Sequence, residues 1–337
     1  MSFVTIKDVG KEANVSFSTV SRVIRNAKNV RPETRKRVLE AIRKLNYRVD
    51  GIARGMVKKQ TKTIGVCISD ITNPYYPPLV RGVENTINKF AYNLLLCNTD
   101  ESVEKEENYL ELLLEKRTDG LIIAPVGEKI TSCLKEFLKR NIPVVLIDRK
   151  IEDILADQVC VDNFEGAFIA VEHLIKLGHK RIAMIAGSSN ISTIQERIKG
   201  YLEALRSHNI DVDDSLIVRE GSKIEAAVKA TEALFKINAP PTAIFCSNSL
   251  MSMGVLIGLK KLSKKVPEEV AVVGFDDLEW SEALNPPLTV VSQPNYAIGA
   301  TAAQLLIQRL LKEGPSEKQT IVLKTNLIIR ESCGYKS

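Results

Sequence analysis

From Lys62 onward the chain alternates between two hydropathy patterns, and this alternation restricts its fold more than any other feature. Eight short apolar runs (TIGVCIS, NLLLCN, DGLIIAP, IPVVLID, RIAMIAG, PTAIFCS, EVAVVGF and LTVVSQ) are separated by stretches with helical periodicity. Fully apolar, β-rich runs separated by amphipathic helices mean parallel strands covered by helices on both faces. There are enough of them for two doubly wound halves, with a switch from one to the other near Asp162 and a return near Gln293. The expected body is therefore an α/β unit over residues 62–337. Its lobe 1 is formed by about 62–161 and 292–322, and lobe 2 by about 162–291 and 323–337.

A length of 337 residues allows this body and a further small domain. No stretch reaches the roughly 20 uninterrupted apolar residues a membrane span needs. The opening MSFVTIKDVGKEAN carries charge where a secretory leader would be apolar, so a cytoplasmic protein with no membrane association is expected. Cys67, Cys97, Cys133, Cys160, Cys246 and Cys333 are scattered, with no CxxC spacing, and read as small buried hydrophobes rather than a zinc site or a disulfide framework.

Charge marks off the other domain. Residues 1–61 hold 15 of the 47 Lys and Arg and 5 of the 41 Asp and Glu, a balance of +10; the remaining 32 basic and 36 acidic groups balance at −4. A basic head on a mildly acidic body points to a polyanion partner for the head alone. Three helices can be read in it. The first covers residues 6–13, capped by Thr5, with Ile6, Val9 and Ala13 inward. Asn14, which tolerates positive φ, supplies the turn. The second lies in NVSFSTVSRVIRN, with Ser16 as cap and Val20, Val23 and Ile24 as its apolar stripe. The third starts at Pro32 and buries Val38, Leu39, Ile42 and Leu45. Two short helices on a tight turn, closed by a third, make a helix-turn-helix, whose second helix enters the major groove. The outer face of that helix presents Phe17, Ser18, Ser21, Arg22 and Arg25. Short hydroxyls can reach phosphates or base edges, Phe17 can pack on a thymine methyl, and Arg22 can pair with guanine O6 and N7.

In the body, ligands bind at the carboxyl ends of parallel strands. Reading past each run gives Asp70 with NPYY, Asp148-Arg149, Ser188-Ser189, Asn248 and Asp276-Asp277, with Arg197 just inside a following helix. Carboxylates, amides and a guanidinium beside aromatic faces suit a neutral polyhydroxylated ligand.

Other chemistry finds no support. His173 and His179 are six apart, off one helix face, with no carboxylate at metal spacing. DVDDSLIVREGS opens like a calcium loop, but Leu216 stands where glycine is needed and Ser222 where the bidentate glutamate belongs. No GxGxxG or Walker loop follows a strand, no Ser-His-Asp or Cys-His set is suggested, and adjacent Asp276 and Asp277 point different ways as a general acid and base pair. No enzyme activity, cofactor or metal is expected.

TIKDVGKEANVSFSTVSRVI followed by TRKRVLEAIRKLNYR resembles the DNA-binding head of the LacI/GalR family of bacterial transcription regulators. The likeness continues through DITNPYY, GLIIAP, IPVVLIDR, VDNFEGA, HLIKLGHKRIAMIAG, RIKGY, PTAIFCSN, VPEEVAVVGFDD and PPLTVVSQP, over about residues 3–332. The resemblance implies an all-α helix-turn-helix head (1–49), a hinge helix (50–61), and a two-lobed body like periplasmic binding proteins. It assigns DNA contacts to Thr5, Ser16, Phe17, Ser18, Thr19, Ser21, Arg22 and Asn29. Met56 takes the place of the hinge leucine that the family wedges into the minor groove. For the sugar-responsive branches it implies effector contacts at Asp148, Arg197, Asn248 and Asp276, with an aromatic from Tyr75 or Tyr76 and Gln293 at the crossing between lobes. Departures are Gly10 for alanine, Arg31 for a serine cap, Val49 for proline, an added glycine at Gly51 and Ser249 for aspartate.

The resemblance thus implies a homodimeric repressor on pseudo-palindromic operator DNA, controlled by a small molecule, with a sugar the best match. A nucleobase corepressor or a phosphoprotein partner is the alternative within the family. A solute-binding transport protein shares the body but not the basic head.

Overall fold

The structure, a computed structural model, describes residues 4–24, 27, 29–47, 60–152, 154–187, 191–219, 221 and 223–335. It comprises two compact units, Met1–Thr61 and Lys62–Ser337. Arg25, Val49, Ser188, Ser189 and residues 50–59 of the expected hinge helix, with Gly51 and Met56, lie outside the described residues.

In the head, α1 (Ile6–Glu12) is followed by α2 (Phe17–Ile24) and α3 (Pro32–Lys44). Thr5 caps α1 through a reciprocal box with Asp8, a sequence-local signal that fixes the start of the helix. Asn14 takes φ 51°, the left-handed turn that reverses the chain into α2. Ser16 Oγ accepts the Thr19 N–H at 3.2 Å and so caps α2. Val9, Ala13, Val20, Val23, Val38 and Ala41 form the core, with Ile6, Ile24, Ile42 and Leu45 at its edge. Leu39 does not belong to it and is 42% exposed. At about 100° per residue, a stripe through Val38 and Ile42 turns Leu39 out of the core. Arg31 precedes Pro32 without a side-chain cap.

Gly10 in α1 is a fit as well as a helix-weakening choice. A Cβ there would meet the Val15 carbonyl oxygen at 2.9 Å, so the turn into α2 sits closer than alanine would allow.

The body is built on two six-stranded sheets. The first has order β11-β5-β4-β3-β1-β2 and the second β12-β10-β9-β8-β6-β7. In the first, β1 (Thr63–Ile68), β2 (Asn93–Asn98), β3 (Gly120–Ile123), β4 (Val144–Ile147), β5 (Asp157–Val161) and β11 (Thr320–Leu323) are all parallel. In the second, β6 (Ile182–Ile185), β7 (Ile217–Val218), β8 (Ala243–Cys246), β9 (Ala271–Phe275) and β10 (Thr289–Ser292) are parallel, and β12 (Asn326–Ile328) runs antiparallel to β10. The chain crosses between the sheets after β5, after β10 and between β11 and β12.

Helices cover both faces of each sheet. On the first lie α4 (Tyr76–Asn88), α5 (Val103–Glu115), α6 (Ser132–Lys139) and α11 (Asn295–Leu311). On the second lie α7 (Asn163–Lys176), α8 (Ser192–Ser207), α9 (Ile224–Leu234) and α10 (Ser249–Lys261). The faces of the first sheet bury separate apolar clusters, one centred on Ile64, Val66 and Leu79 and the other on Leu110, Leu121 and Phe137. α4 and α11 touch backbone to backbone: a Cβ on Gly82 would fall on the Tyr296 carbonyl, and one on Gly299 on that of Leu79.

Two features depart from the strand pattern expected. β2 is an apolar run at a sheet edge, and Leu95 and Leu96 are 40% and 38% exposed rather than covered. The antiparallel β12 adds an edge to an otherwise parallel sheet. Cys67, Cys97, Cys160, Cys246 and Cys333 are buried, while Cys133 is half-buried. Among the described residues no helix is long and apolar enough to cross a membrane, and no cluster of three His, Cys, Asp or Glu is placed to hold a metal ion.

Candidate functional site

Two surfaces combine the groups singled out by sequence. The first is the outer face of α2. Val20 and Val23 point into the head core, which leaves Phe17 (61% exposed), Ser18 and Arg22 on the solvent side and Ser21 and Thr19 half-buried. Ser16 Oγ lies 2.8 Å from Ser18 Oγ and 3.0 Å from Thr19 Oγ1, so these hydroxyls act as a linked set. Asn29 is exposed before α3. Thr5 is less free, because its hydroxyl donates to Asp8 Oδ2 at 2.7 Å. That bond holds the Asp8 carboxyl below its usual range.

The second is a cleft of about 520 Å³ between the carboxyl ends of the two sheets. Tyr75, Tyr76, Asp148, Arg197, Asn248, Asp276 and Gln293 all line it. Their convergence follows from topology: Asp148, Asn248, Asp276 and Gln293 stand one or two residues past β4, β8, β9 and β10, while α4 begins at Tyr76 and α8 carries Arg197.

Asp148 and Asp276 occupy matching positions in the two lobes, and both leave their strands through left-handed backbone, at φ 64° and 76°. This is a conformation that aspartate tolerates better than most side chains. Neither caps a following helix. Asp148 Oδ2 accepts from the Tyr76 hydroxyl at 3.2 Å, and that hydroxyl also lies 2.8 Å from Ser69 Oγ. Asp276 accepts from Gln293 Nε2 at 2.5 Å and from the Ser249 N–H at 3.2 Å. Burial pushes both carboxyls up; Arg149 and Arg197 oppose it at Asp148, and Arg197 and Gln293 at Asp276. Burial also raises the phenols of Tyr75 and Tyr76.

Arg197 is 3% exposed. Its Nε donates to Asn163 Oδ1 at 2.9 Å, its Nη1 donates to the Ser247 carbonyl, and its guanidinium lies 3.6 Å from the ring centre of Phe275. Burial lowers its pKa against the pull of Asp276 and Asp148. Asn248 caps α10, its Oδ1 accepting from the Met251 N–H at 2.9 Å. Ser249 uses its hydroxyl across the cleft, donating to Asn73 Oδ1 at 3.4 Å. A second bridge joins the lobes at Lys150, whose N–H donates to Ser192 Oγ at 3.1 Å and whose Nζ pairs with Glu196 at 2.7 Å.

Several contributors escaped the sequence reading. Phe275 ends an apolar strand and Asn163 opens a helix, yet Asn163 accepts from Arg197 and the Phe275 ring lies against its guanidinium. Arg149 also lines the cleft, but its Nη atoms form a two-pronged pair with Glu101 at 2.7 and 2.5 Å. Nothing local to either residue announces that pairing, since 48 residues separate them.

A helix-turn-helix with an open polar face, joined to a two-lobed body with a polar cleft, defines a class: DNA-binding transcription regulators that answer to a small molecule. Residues 5–50 match the family model described as bacterial regulatory proteins, lacI family, and residues 61–330 that described as periplasmic binding proteins and sugar binding domain of LacI family. Catabolite control protein A of Priestia megaterium is 39% identical over 316 residues, covering 92% of this chain and 93% of that one. The HTH-type transcriptional repressor PurR of Photobacterium profundum is 34% identical over 330 residues, 97% and 98% of the two chains. The lac repressor dimer bound to operator and the anti-inducer ONPF superposes with a TM-score of 0.84 at 26% identity, over 98% of this chain and 99% of that one. The chain belongs to the LacI family of bacterial transcription regulators.

Proposed function

We propose that this protein is a cytoplasmic repressor that binds a pseudo-palindromic operator as a homodimer and is controlled by a sugar held between its lobes. The convergence of strand-end carboxylates, amides and a stacked guanidinium on one cleft beside two tyrosines carries this reading. Each carboxylate can accept two sugar hydroxyls, Arg197 and Asn248 can donate, and a tyrosine ring can cover the apolar face of the sugar. The description of the matching body family as a sugar binding domain supports the same choice.

DNA contacts are assigned to Thr5, Ser16, Phe17, Ser18, Thr19, Ser21, Arg22 and Asn29, and a minor-groove wedge to Met56. Phe17 and Arg22 carry the base choice, and the hydroxyl set fixes register on phosphates. Sugar binding favours the closed lobes, and closure shifts the paired first lobes that set the spacing of the two hinges. The cleft residues bind and orient; no reaction is assigned to them.

The test is thermal unfolding of the full chain against sugars, sugar phosphates and nucleobases, followed by operator binding with each hit. A ligand at about 100 times its dissociation constant adds roughly 2.7 kcal/mol. A sugar that shifts unfolding and changes operator affinity, with both effects lost in Asp276→Ala, is the expected result. A response to nucleobases alone, or an unchanged response in Asp276→Ala, would overturn the sugar reading.

A further inference from the structure

The charge of the cleft lining narrows the sugar reading, on which this inference rests. Asp70, Asp100, Glu101, Asp148, Glu225 and Asp276 line it, against Arg149, Arg197 and Lys223. Among the described residues of the lining, Arg149 is fully engaged and Arg197 partly so, while of the acids Asp100 is paired with Lys105. The Arg149 fork closes on Glu101, and its Nη1 also donates to the carbonyls of Pro125 and Val126 at 3.1 and 3.4 Å. Arg197 gives its Nε to Asn163 and its Nη1 to the Ser247 carbonyl and lies over the Phe275 ring, so its charge is partly engaged within the protein. Lys223 is exposed at the rim and within electrostatic reach of Asp100.

Helix starts, the other usual receptors for anions, add little here. α4 opens with Pro77 and Pro78, which have no N–H to give. α10 gives the Ser249 N–H to Asp276 and the Met251 N–H to Asn248. α5 has Glu104 and Glu106 in its first turn, and α9 has Glu225. That leaves α8, whose N-terminal partial charge of about half a unit faces a lining with three more acids than bases. Protonation of one buried aspartate would still leave the lining negative.

The deep wall is also rich in acceptors. Asp148 and Asp276 accept, and Gln293, having given its Nε2 to Asp276, has its buried Oε1 without a partner. A wall of this kind matches groups that bring hydrogens. A phosphoester brings acceptors only, with about −1.5 to −2 charge; a carboxylate brings acceptors and one negative charge.

We infer that the effector is an uncharged or amine-bearing polyol, an unphosphorylated sugar or amino sugar, and that the cleft rejects phosphate esters and sugar acids. Like charge within several ångströms, in the intermediate dielectric of a protein cleft, weakens binding of an ester by roughly 100-fold relative to its parent sugar.

The experiment is calorimetric titration of the full-length protein with matched sets: ribose and ribose 5-phosphate, then glucose, glucosamine, glucose 6-phosphate and gluconate, extended to the parent and ester of any sugar that shifts unfolding. Binding by a parent or amino sugar, with its ester or acid weaker by roughly 100-fold or silent, is the expected outcome. An ester or acid that binds as tightly as its parent, or binds when the parent does not, overturns this inference and leaves the sugar reading standing. Silence from every carbohydrate overturns both.

Discussion

The carboxylates of half-buried Asp148 and buried Asp276 are poorly solvated, in backbone that non-glycine residues seldom adopt. Such sites set binding against stability. Because burial raises the folded-state pKa of Asp148 above its unfolded value, the native state holds the proton more tightly than the unfolded chain does. Its contribution to stability is therefore greatest below the unfolded pKa and is lost as pH rises through the folded one. Asp148→Asn keeps an acceptor for the Tyr76 hydroxyl and removes the charge. The variant should unfold at a higher temperature than the parent at pH 7.5, with the gap closing as pH falls toward 4, and it should lose the response to sugar. A lower unfolding temperature at pH 7.5 would mean that Arg149 and Arg197 outweigh burial. Strand-end acids of this kind are legible in sequence because an apolar run points at them. Asn163 and Phe275 are not, because an amide in a first helical turn and a ring ending an apolar strand each have a commoner use.

Among the elements, α1 and α2 show how a local rule can mislead. Glycine inside a helix costs up to about 1 kcal/mol against alanine, so Gly10 reads as a weakness. The Val15 carbonyl, 2.9 Å from where a Cβ would stand, turns it into a fit between helix and turn. Gly10→Ala should therefore leave the head no more stable to urea than the parent. A full gain of about 1 kcal/mol would show that the turn yields freely. The same limit applies to strands. β5, β7, β11 and β12 lie outside the eight apolar runs, and three of them are short or edge strands whose half-covered faces call for no continuous apolar stretch. β2 is the reverse, an apolar run left at an edge. A hydropathy run reports composition, and only the sheet order says which side is covered.

At the scale of the whole molecule, side chains bridge the lobes without any ligand, among them Lys150 with Glu196 and Ser192, and Ser249 with Asn73. Partly exposed ion pairs contribute about 0.2–1 kcal/mol, which biases a closing equilibrium without dominating it. Glu196→Gln should open the unliganded body measurably by small-angle scattering and weaken the sugar by about threefold. Unchanged scattering would remove the pair from any role in closure. The lobes as such can be anticipated from sequence, since the apolar runs fall into two sets with a switch and a return. The bridges cannot, because residues 46 and 176 positions apart give no local sign of meeting.

The chain passes between the sheets three times, and this has a consequence for what the protein can measure. The two walls of the cleft are tethered, so they meet at a high effective concentration and need only weak bonds to stay in touch. A ligand moves such an equilibrium only by the difference in its affinity for the closed and open walls. What the molecule measures is then set by how much better a ligand fits the closed walls than the open ones.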